Sequence, residues 1–339
     1  MNRQIFRSAA ALGVAVCFGP SAPADEFRLE SATLPAPILE RGNVNVVIEA
    51  SGVEPIGAGR RFLVAHDKAP ALHVVDAATG ALVGAPITST KFPAPSRTGP
   101  KWEGMARDLD GNFYLIGAHN GKTDEERTSK SVLLRFRLKD SDSPAIDDAS
   151  VVRWEISRPL VGALKAAGLD DSAVGKRKIE GLAVRDRSGR RELAIGLREP
   201  GDKVRAFVAD VTNAKRDAVL DLQPLFAFQA EPREGVPSQL TTMEYAPTLG
   251  GFLVITASED ANNAFHGNTL YFVADGETSR AVKIATFEVA MKAEGLAILG
   301  SEHSAGRTTV HLLLTYDNDP HSTRIPSRFQ TVNLVRATH

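Results

Sequence analysis

The apolar residues of this chain fall in short runs bounded by turn residues, and the runs repeat. "NFYLIGAHN", "ELAIGLRE", "GFLVITASED" and "HLLLTYDND" share one shape. Runs of this length, bracketed by Gly, Asn and Asp, read as strands rather than helices. One phrase stands ahead of three of them: "KWEGMA" at 101–106, "KIEGLA" at 178–183 and "KAEGLA" at 292–297. Asp110-Gly111, Ser188-Gly189 and Gly306 follow where a hairpin needs residues that tolerate positive φ. Each unit therefore opens with a strand, turns, and returns through a more apolar strand.

The spacing predicts further units. Gly104 and Gly181 are 77 residues apart, and Gly181 and Gly295 are 114 apart, which leaves room for a unit between them. "QLTTMEYAPTLGGFLVITASED" fills that room with an eroded opening near Thr241, and "ASGVEPIGAGRRFLVAHDK" supplies another unit upstream, with Gly52 in register. Third strands follow at "ALHVVDAATG", "SVLLRFRLKD", "KVRAFVADV", "NTLYFVADG" and "RFQTVNLVRA". Fourth strands are expected at "ALVGAPI", "VVRWEI", "AVLDL" and "VKIATFEV". Four antiparallel strands in each of five units predict an all-β, single five-bladed β-propeller, six blades being the alternative count and a stacked β-sandwich pair the alternative fold. The last unit ends on its third strand, so "FRLESATL" or "NVNVVIEA" near the N-terminus is expected to close the ring. A helical insertion is expected within 157–177, centred on Leu160–Ala167.

Composition changes the picture mainly at the N-terminus. "MNRQIFR" is basic, "SAAALGVAVCFG" is apolar but too short to span a bilayer, and "APA" precedes Asp25. This is the form of a secretory signal peptide over 1–24, with the propeller over 25–339 and a periplasmic or secreted location. Its removal takes Cys17, the only cysteine, and with it any disulfide, thiolate catalysis or cysteine-bound zinc. A formal charge of −1 and 6% aromatic residues offer nucleic acid neither a basic field nor a stacking platform, and no later segment predicts membrane insertion.

The blocks "WEGMARDLDGNFYLIGAHN", "IEGLAVRDRSGRRELAIGLREP", "EYAPTLGGFLVITAS" and "AEGLAI" carry a resemblance. From about Val46 to Leu334 the chain resembles an uncharacterised family of secreted bacterial propellers whose blades open with Glu-Gly-(Leu/Val)-Ala. More distantly it is similar to phytase-like, esterase-like propellers and to gluconolactonase-type propellers. The lactonase likeness implies one divalent metal in the central channel, held by a blade-opening Glu and by Asn and Asp from other blades. Glu103, Glu180 and Glu294 match that Glu, although the residues after them depart from the pattern.

A propeller's innermost strand starts on the face where its second strand ends. Glu103, Glu180 and Glu294 should therefore share a rim with His119, Asn120, Arg198, Glu199, Glu259, Asp317, Asn318, Asp319 and Asp67. Lys and Glu two apart point to one side of a strand, so Lys101, Lys178 and Lys292 join them in a ring of alternating charge. The bland reading makes this ring a set of ties between blades. The functional readings divide its members by role. His119, Glu103 and Arg198 are candidate catalytic groups. Lys101, Lys178, Lys292, Asn120, Glu199 and Asp67 are candidate ligand contacts. Glu180, Glu294, Glu259, Asp317, Asn318 and Asp319 are oxygen donors suited to one calcium or magnesium ion.

Familiar catalytic signatures fail. "GAHNGKT" has three residues between its glycines where a phosphate loop needs four, and neither a Gly-x-Ser-x-Gly elbow nor a His-Glu-x-x-His motif occurs. The expected function is binding of an anionic small molecule, or of a periplasmic partner protein, at the channel rim of a monomer. The alternative is a metal-dependent hydrolase of a phosphoester, ester or lactone.

Overall fold

The computed structural model describes residues 26–30, 33, 35–39, 48–67, 69–93, 101–121, 123, 126–127, 130–140, 143–199, 203–262, 264–287, 291–317 and 327–337. The leader expected over 1–24 lies outside these residues, as do Asn318 and Asp319.

Five antiparallel sheets make the fold. The first blade is Ala50–Ile56, Arg61–His66 and Leu72–Asp76; the second is Trp102–Arg107, Phe113–Gly117, Leu133–Phe136 and Val152–Trp154. Lys178–Arg187, Arg190–Glu199, Val204–Asp210 and Gln223–Phe228 form the third, and Ser238–Ala246, Gly251–Glu259, Phe265–Ala274 and Val282–Phe287 the fourth. The fifth is Lys292–Ser304, Arg307–Asp317 and Arg328–Ala337, completed on its outer edge by the N-terminal Phe27–Glu30. That closing strand is the first of the two expected candidates. Phe27 packs on Phe272 of the fourth blade with ring centroids 5.1 Å apart, and Arg336 lies over the Phe27 ring while pairing with Glu26.

Two outer strands differ from expectation. The fourth strand of the third blade is Gln223–Phe228 and not "AVLDL" at 218–222. In Gln223–Phe228 the buried Phe226 and Phe228 meet the fourth blade, whereas Val219 is half exposed and makes only an isolated bridge to Glu155. In the first blade "ALVGAPI" contributes isolated bridges through Leu82 and Ile87 in place of a continuous strand. Between the second and third blades stand two helices, Ser157–Ala166 and Asp171–Gly175. Glu155 Oε1 accepts the free N–H groups of Ser157 and Arg158 at the first helix's start, and Asp170 caps the second through the Ala173 N–H.

The apolar interior is divided among the interfaces between blades. Five clusters of buried side chains lie one at each junction, from first-with-second around to fifth-with-first. The innermost strands accordingly pack each on the next, and the fifth on the first. Their register glycines permit this approach. A Cβ on Gly52 would sit 2.7 Å from the Met105 main-chain nitrogen, one on Gly104 3.0 Å from Leu182 Cβ, and one on Gly295 3.0 Å from Val53 Cγ1. The hairpin turns take positive φ as expected, with Gly111 at 80°, Ser188 at 50°, Gly189 at 77° and Gly306 at 74°.

Gly52→Ala meets main chain that cannot swing aside, so it should destabilise by about 1–3 kcal/mol, the range for overpacking a filled interior. Gly162→Ala has nothing within 4 Å and lies in a helix, so it should stabilise by about 0.5–1 kcal/mol. Urea unfolding of the two variants beside the wild type checks both signs.

Candidate functional site

All five innermost strands share an irregularity at the same place. Pairing slips between Ala50 and Gly52, Trp102 and Gly104, Ile179 and Gly181, Leu240 and Thr242, and Ala293 and Gly295. The extra residues are Ser51, Glu103, Glu180, Thr241 and Glu294. A bulge of this kind bends the strand and re-aims the side chain it carries. All five are buried.

The three glutamates meet the lysines two residues before them. Lys101 Nζ lies 2.7 Å from Glu103 and 3.2 Å from Asp67 of the preceding blade. Lys178 pairs with Glu180 and reaches back to Glu103 at 3.4 Å. Arg198 joins Glu180 at 3.3 Å to Glu259 at 2.8 Å, and its Nε donates to Gln239 at 3.0 Å. Lys292 pairs with Glu294 at 2.8 Å and Glu259 at 3.4 Å, and Ser51 Oγ donates to Glu294 at 3.4 Å across the closing junction. The result is one polar belt around all five blades.

Among the described residues the belt sets Asp67, Glu103, Glu180, Glu259 and Glu294 against Lys101, Lys178, Arg198 and Lys292, and their uneven sharing shows in the proton affinities. Burial raises Glu103, and the Glu180 charge adds to it beyond what Lys178 and Lys101 offset, so its pKa rises to about 8. Burial acts on Glu180 in the same direction, but Lys178, Arg198, Lys101 and Lys292 outweigh it and hold the group down at about 2. Burial thus favours the protonated form of Glu103 and the surrounding cations favour the ionised form of Glu180.

The remaining sequence candidates fall in different surroundings. His119 is fully buried, with φ of 53°, and neither ring nitrogen has a hydrogen-bond partner among the described residues. Burial and then the Arg177 charge lower its pKa to about 3, so it is a neutral imidazole beneath the surface. Asn120 follows it, half buried. Asp317 is buried opposite Lys292 in the ladder, and Glu199 pairs in register with Lys178, its side chain outside the described set. Among the described residues no group of three or more His, Cys, Asp or Glu is arranged to hold a metal ion. Glu180, Glu259 and Glu294, expected as metal ligands, are each engaged by Lys or Arg. Ser51 and Gln239 were not legible as belt members from residue type. Only their offset from the register positions 52 and 242 marks them.

No family model matches the chain, and no curated protein matches it. Among solved structures it is similar to an alpha-L-arabinofuranosidase from Podospora anserina, solved with cellotriose. The TM-score is 0.49 and the identity 8%, over 92% of this chain and 98% of that one. It is also similar to an exo-beta-1,3-galactanase from Phanerochaete chrysosporium (TM-score 0.49, 8% identity, 88% of this chain and 62% of that one) and to a luciferin-regenerating enzyme (0.41, 13%, 85% and 78%). At these values the likeness concerns shape and not chemistry.

The proton affinities set a pH dependence. Glu103 is raised from 4.5 to about 8, so its contribution to stability is full below about pH 4.5 and is lost as pH rises through about 8. Glu180 is lowered, so its contribution is present above about pH 4.5 and is lost as pH falls through about 2. The wild-type melting temperature should fall between about pH 5 and 9, and Glu103→Gln, which mimics the protonated acid, should flatten that fall. Glu180→Gln strands buried cations and should be destabilised by about 3–5 kcal/mol at neutral pH. Melting curves across the pH range for the three proteins decide both points.

Proposed function

We propose that this chain is an exported propeller that binds an anionic small molecule at the belt end of its channel. The observation that supports this reading is the layering of charge. Lys101 and Lys178 keep 25% and 17% of their side-chain surface accessible, while Glu103 and Glu180 beneath them keep 2% and 1%. A ligand entering there meets ammonium and guanidinium groups first, with the compensating carboxylates buried below. Charge-assisted hydrogen bonds from Lys and Arg suit a carboxylate or phosphate. The leader-like sequence at 1–24 supports an exported setting.

A second reading, hydrolysis of a phosphoester, ester or lactone, draws support from one feature. Glu103 and Glu180 share Lys178 and have proton affinities pushed far apart, the arrangement that separates a general acid from a base. Under that reading Glu103 donates the proton and Glu180 stays ionised.

Calorimetric titration with citrate and with inorganic phosphate separates the two. Binding should weaken with added salt and, at about pH 8 to 9 where Glu103 is partly ionised, take up protons, because an anion beside Glu103 raises its proton affinity further. A double variant, Lys178→Gln with Glu180→Gln, removes one charge of each sign, keeps the belt balanced, and should weaken binding at least tenfold. Salt-insensitive binding, or binding untouched by the double variant, would sink the anion reading. Turnover of a model ester, lactone or phosphoester that disappears in both Glu103→Gln and Glu180→Gln would replace it with the hydrolase reading.

A further inference from the structure

The five innermost strands, aligned from the bulge inward, read Ser51-Gly52-Val53-Glu54, Glu103-Gly104-Met105-Ala106, Glu180-Gly181-Leu182-Ala183, Thr241-Thr242-Met243-Glu244 and Glu294-Gly295-Leu296-Ala297. The ladders confirm the alignment, since Glu54 pairs with Leu63, Ala106 with Tyr114, Ala183 with Ala194, Glu244 with Leu253 and Ala297 with Leu313. Every blade thus gives the channel one glutamate. Three blades place it at the belt with Ala three residues on. The first and fourth blades place a hydroxyl at the belt and the glutamate three residues on.

Glu54 and Glu244 line a cavity of about 210 Å³ at the opposite end of the channel, to which all five blades contribute. Both are at least nine-tenths buried. Their surroundings differ from the belt's, where every glutamate has a cation. Glu54 is met by the Arg107 main-chain N–H and accepts no hydrogen bond from a side chain among the described residues, and Glu244 accepts the Tyr245 N–H, at 2.8 Å. The cavity's other acids are occupied. Asp108 binds Asn112, Tyr114 and Arg191, and Asp186 binds Arg191. Its only arginine, Arg107, donates to the Pro55 carbonyl at 3.1 Å and lies over the Phe113 ring. Tyr245 donates its hydroxyl to Asp275, which Arg185 also binds. Two carboxyls are left lining the cavity without a salt bridge among the described residues, with Arg107 the one cation that acts on Glu54, and Val184, Pro247, Ile298 and Leu109 give the space apolar walls.

We propose that this end of the channel is a second binding site, for a small organic ammonium ion with a short apolar portion, whose charge is received by Glu54 and Glu244. Two buried carboxyls that line one cavity resist ionising together unless a counter-charge joins them. Burial, and then the Glu244 charge, pushes Glu54 well above the usual carboxylate range, with Arg107 only partly offsetting it; burial pushes Glu244 up to about 8. Burial thus favours the protonated form of both carboxyls, and an ammonium ion bound between them would displace those protons. An aliphatic amine of a few carbons fits the volume, and the apolar walls distinguish it from a hydrated metal ion. The site is independent of the belt reading.

The test uses the full mature chain and n-butylammonium as probe, with n-butanol as its neutral counterpart and calcium chloride as the inorganic one. Calorimetry in buffers of different ionisation heat should show butylammonium binding with proton release, and affinity increasing as pH rises toward about 8. Glu54→Gln and Glu244→Gln should each weaken it at least tenfold while leaving any phosphate binding at the belt unchanged. If a variant fails to fold, the wild type still answers: the infrared carbonyl band of protonated carboxyls should diminish on adding the amine. The proposal is overturned by equal binding of butanol, by displacement of the amine by calcium, by binding that survives both substitutions, or by no binding and no infrared change at concentrations of about 10 mM, beyond the weak millimolar range.

Discussion

The close approach of five innermost strands is the constraint on which the rest depends. A ring of five blades brings these strands nearly to backbone contact, so the register positions are Gly in four blades. Thr242 holds the fifth, where Met243 and Leu240 already pack against Gly181 of the preceding blade. The same crowding confines the side chains re-aimed by the bulges to a narrow channel shielded from water. Charges there are strengthened and made costly at once, and each must find a partner or a proton.

At the belt the partners are built into the chain. A lysine two residues ahead of each glutamate arrives on the same side of the strand, and Arg198 bridges to the fourth blade, which has no such lysine. This serves as a tie between blades and also leaves cations on the accessible side, so the structural and binding readings share one set of residues. The tie does not require a pocket, and the layering of charge does not weaken the tie. What distinguishes them is whether an external anion enters the network, which is a matter of exchange and not of fold.

The blades were legible in the sequence because a propeller writes the same local problem several times: a glycine at each close approach, a positive-φ turn after it, an apolar return strand. Even the eroded opening at Thr241 kept its register. The outer strands were less legible. At the perimeter a strand is held by one neighbour and a few side chains, and the apolar look of "AVLDL" outweighed the two phenylalanines at 226 and 228 that decide the packing. The depth of His119 was hidden for a related reason. A polar residue just past a strand end suggests a rim, but its left-handed backbone and the strands around it enclose the ring completely. The belt was read correctly as alternating charge, since spacing of two is a property of the strand itself. Its proton balance was not legible, because that depends on how deeply each carboxyl is buried and on which cations reach it.

Glu54 and Glu244 show how a repeat conceals and then reveals a site. Taken singly, each is a glutamate in a β-rich run, indistinguishable from a solvated one. Set against the other blades, each stands where alanine suffices to fill the space, and each stands in a blade whose belt position has given up its own glutamate. Packing alone would favour alanine at all five places, because a buried carboxyl without a partner is destabilising and alanine is not. A chain that gives each innermost strand one glutamate, yet moves two of them to the far end without the lysines that neutralise the other three, has divided one ring of charge into two sites of opposite demand. The belt end presents cations over buried acids, and the far end presents two acids with Arg107 as their one neighbouring cation among the described residues.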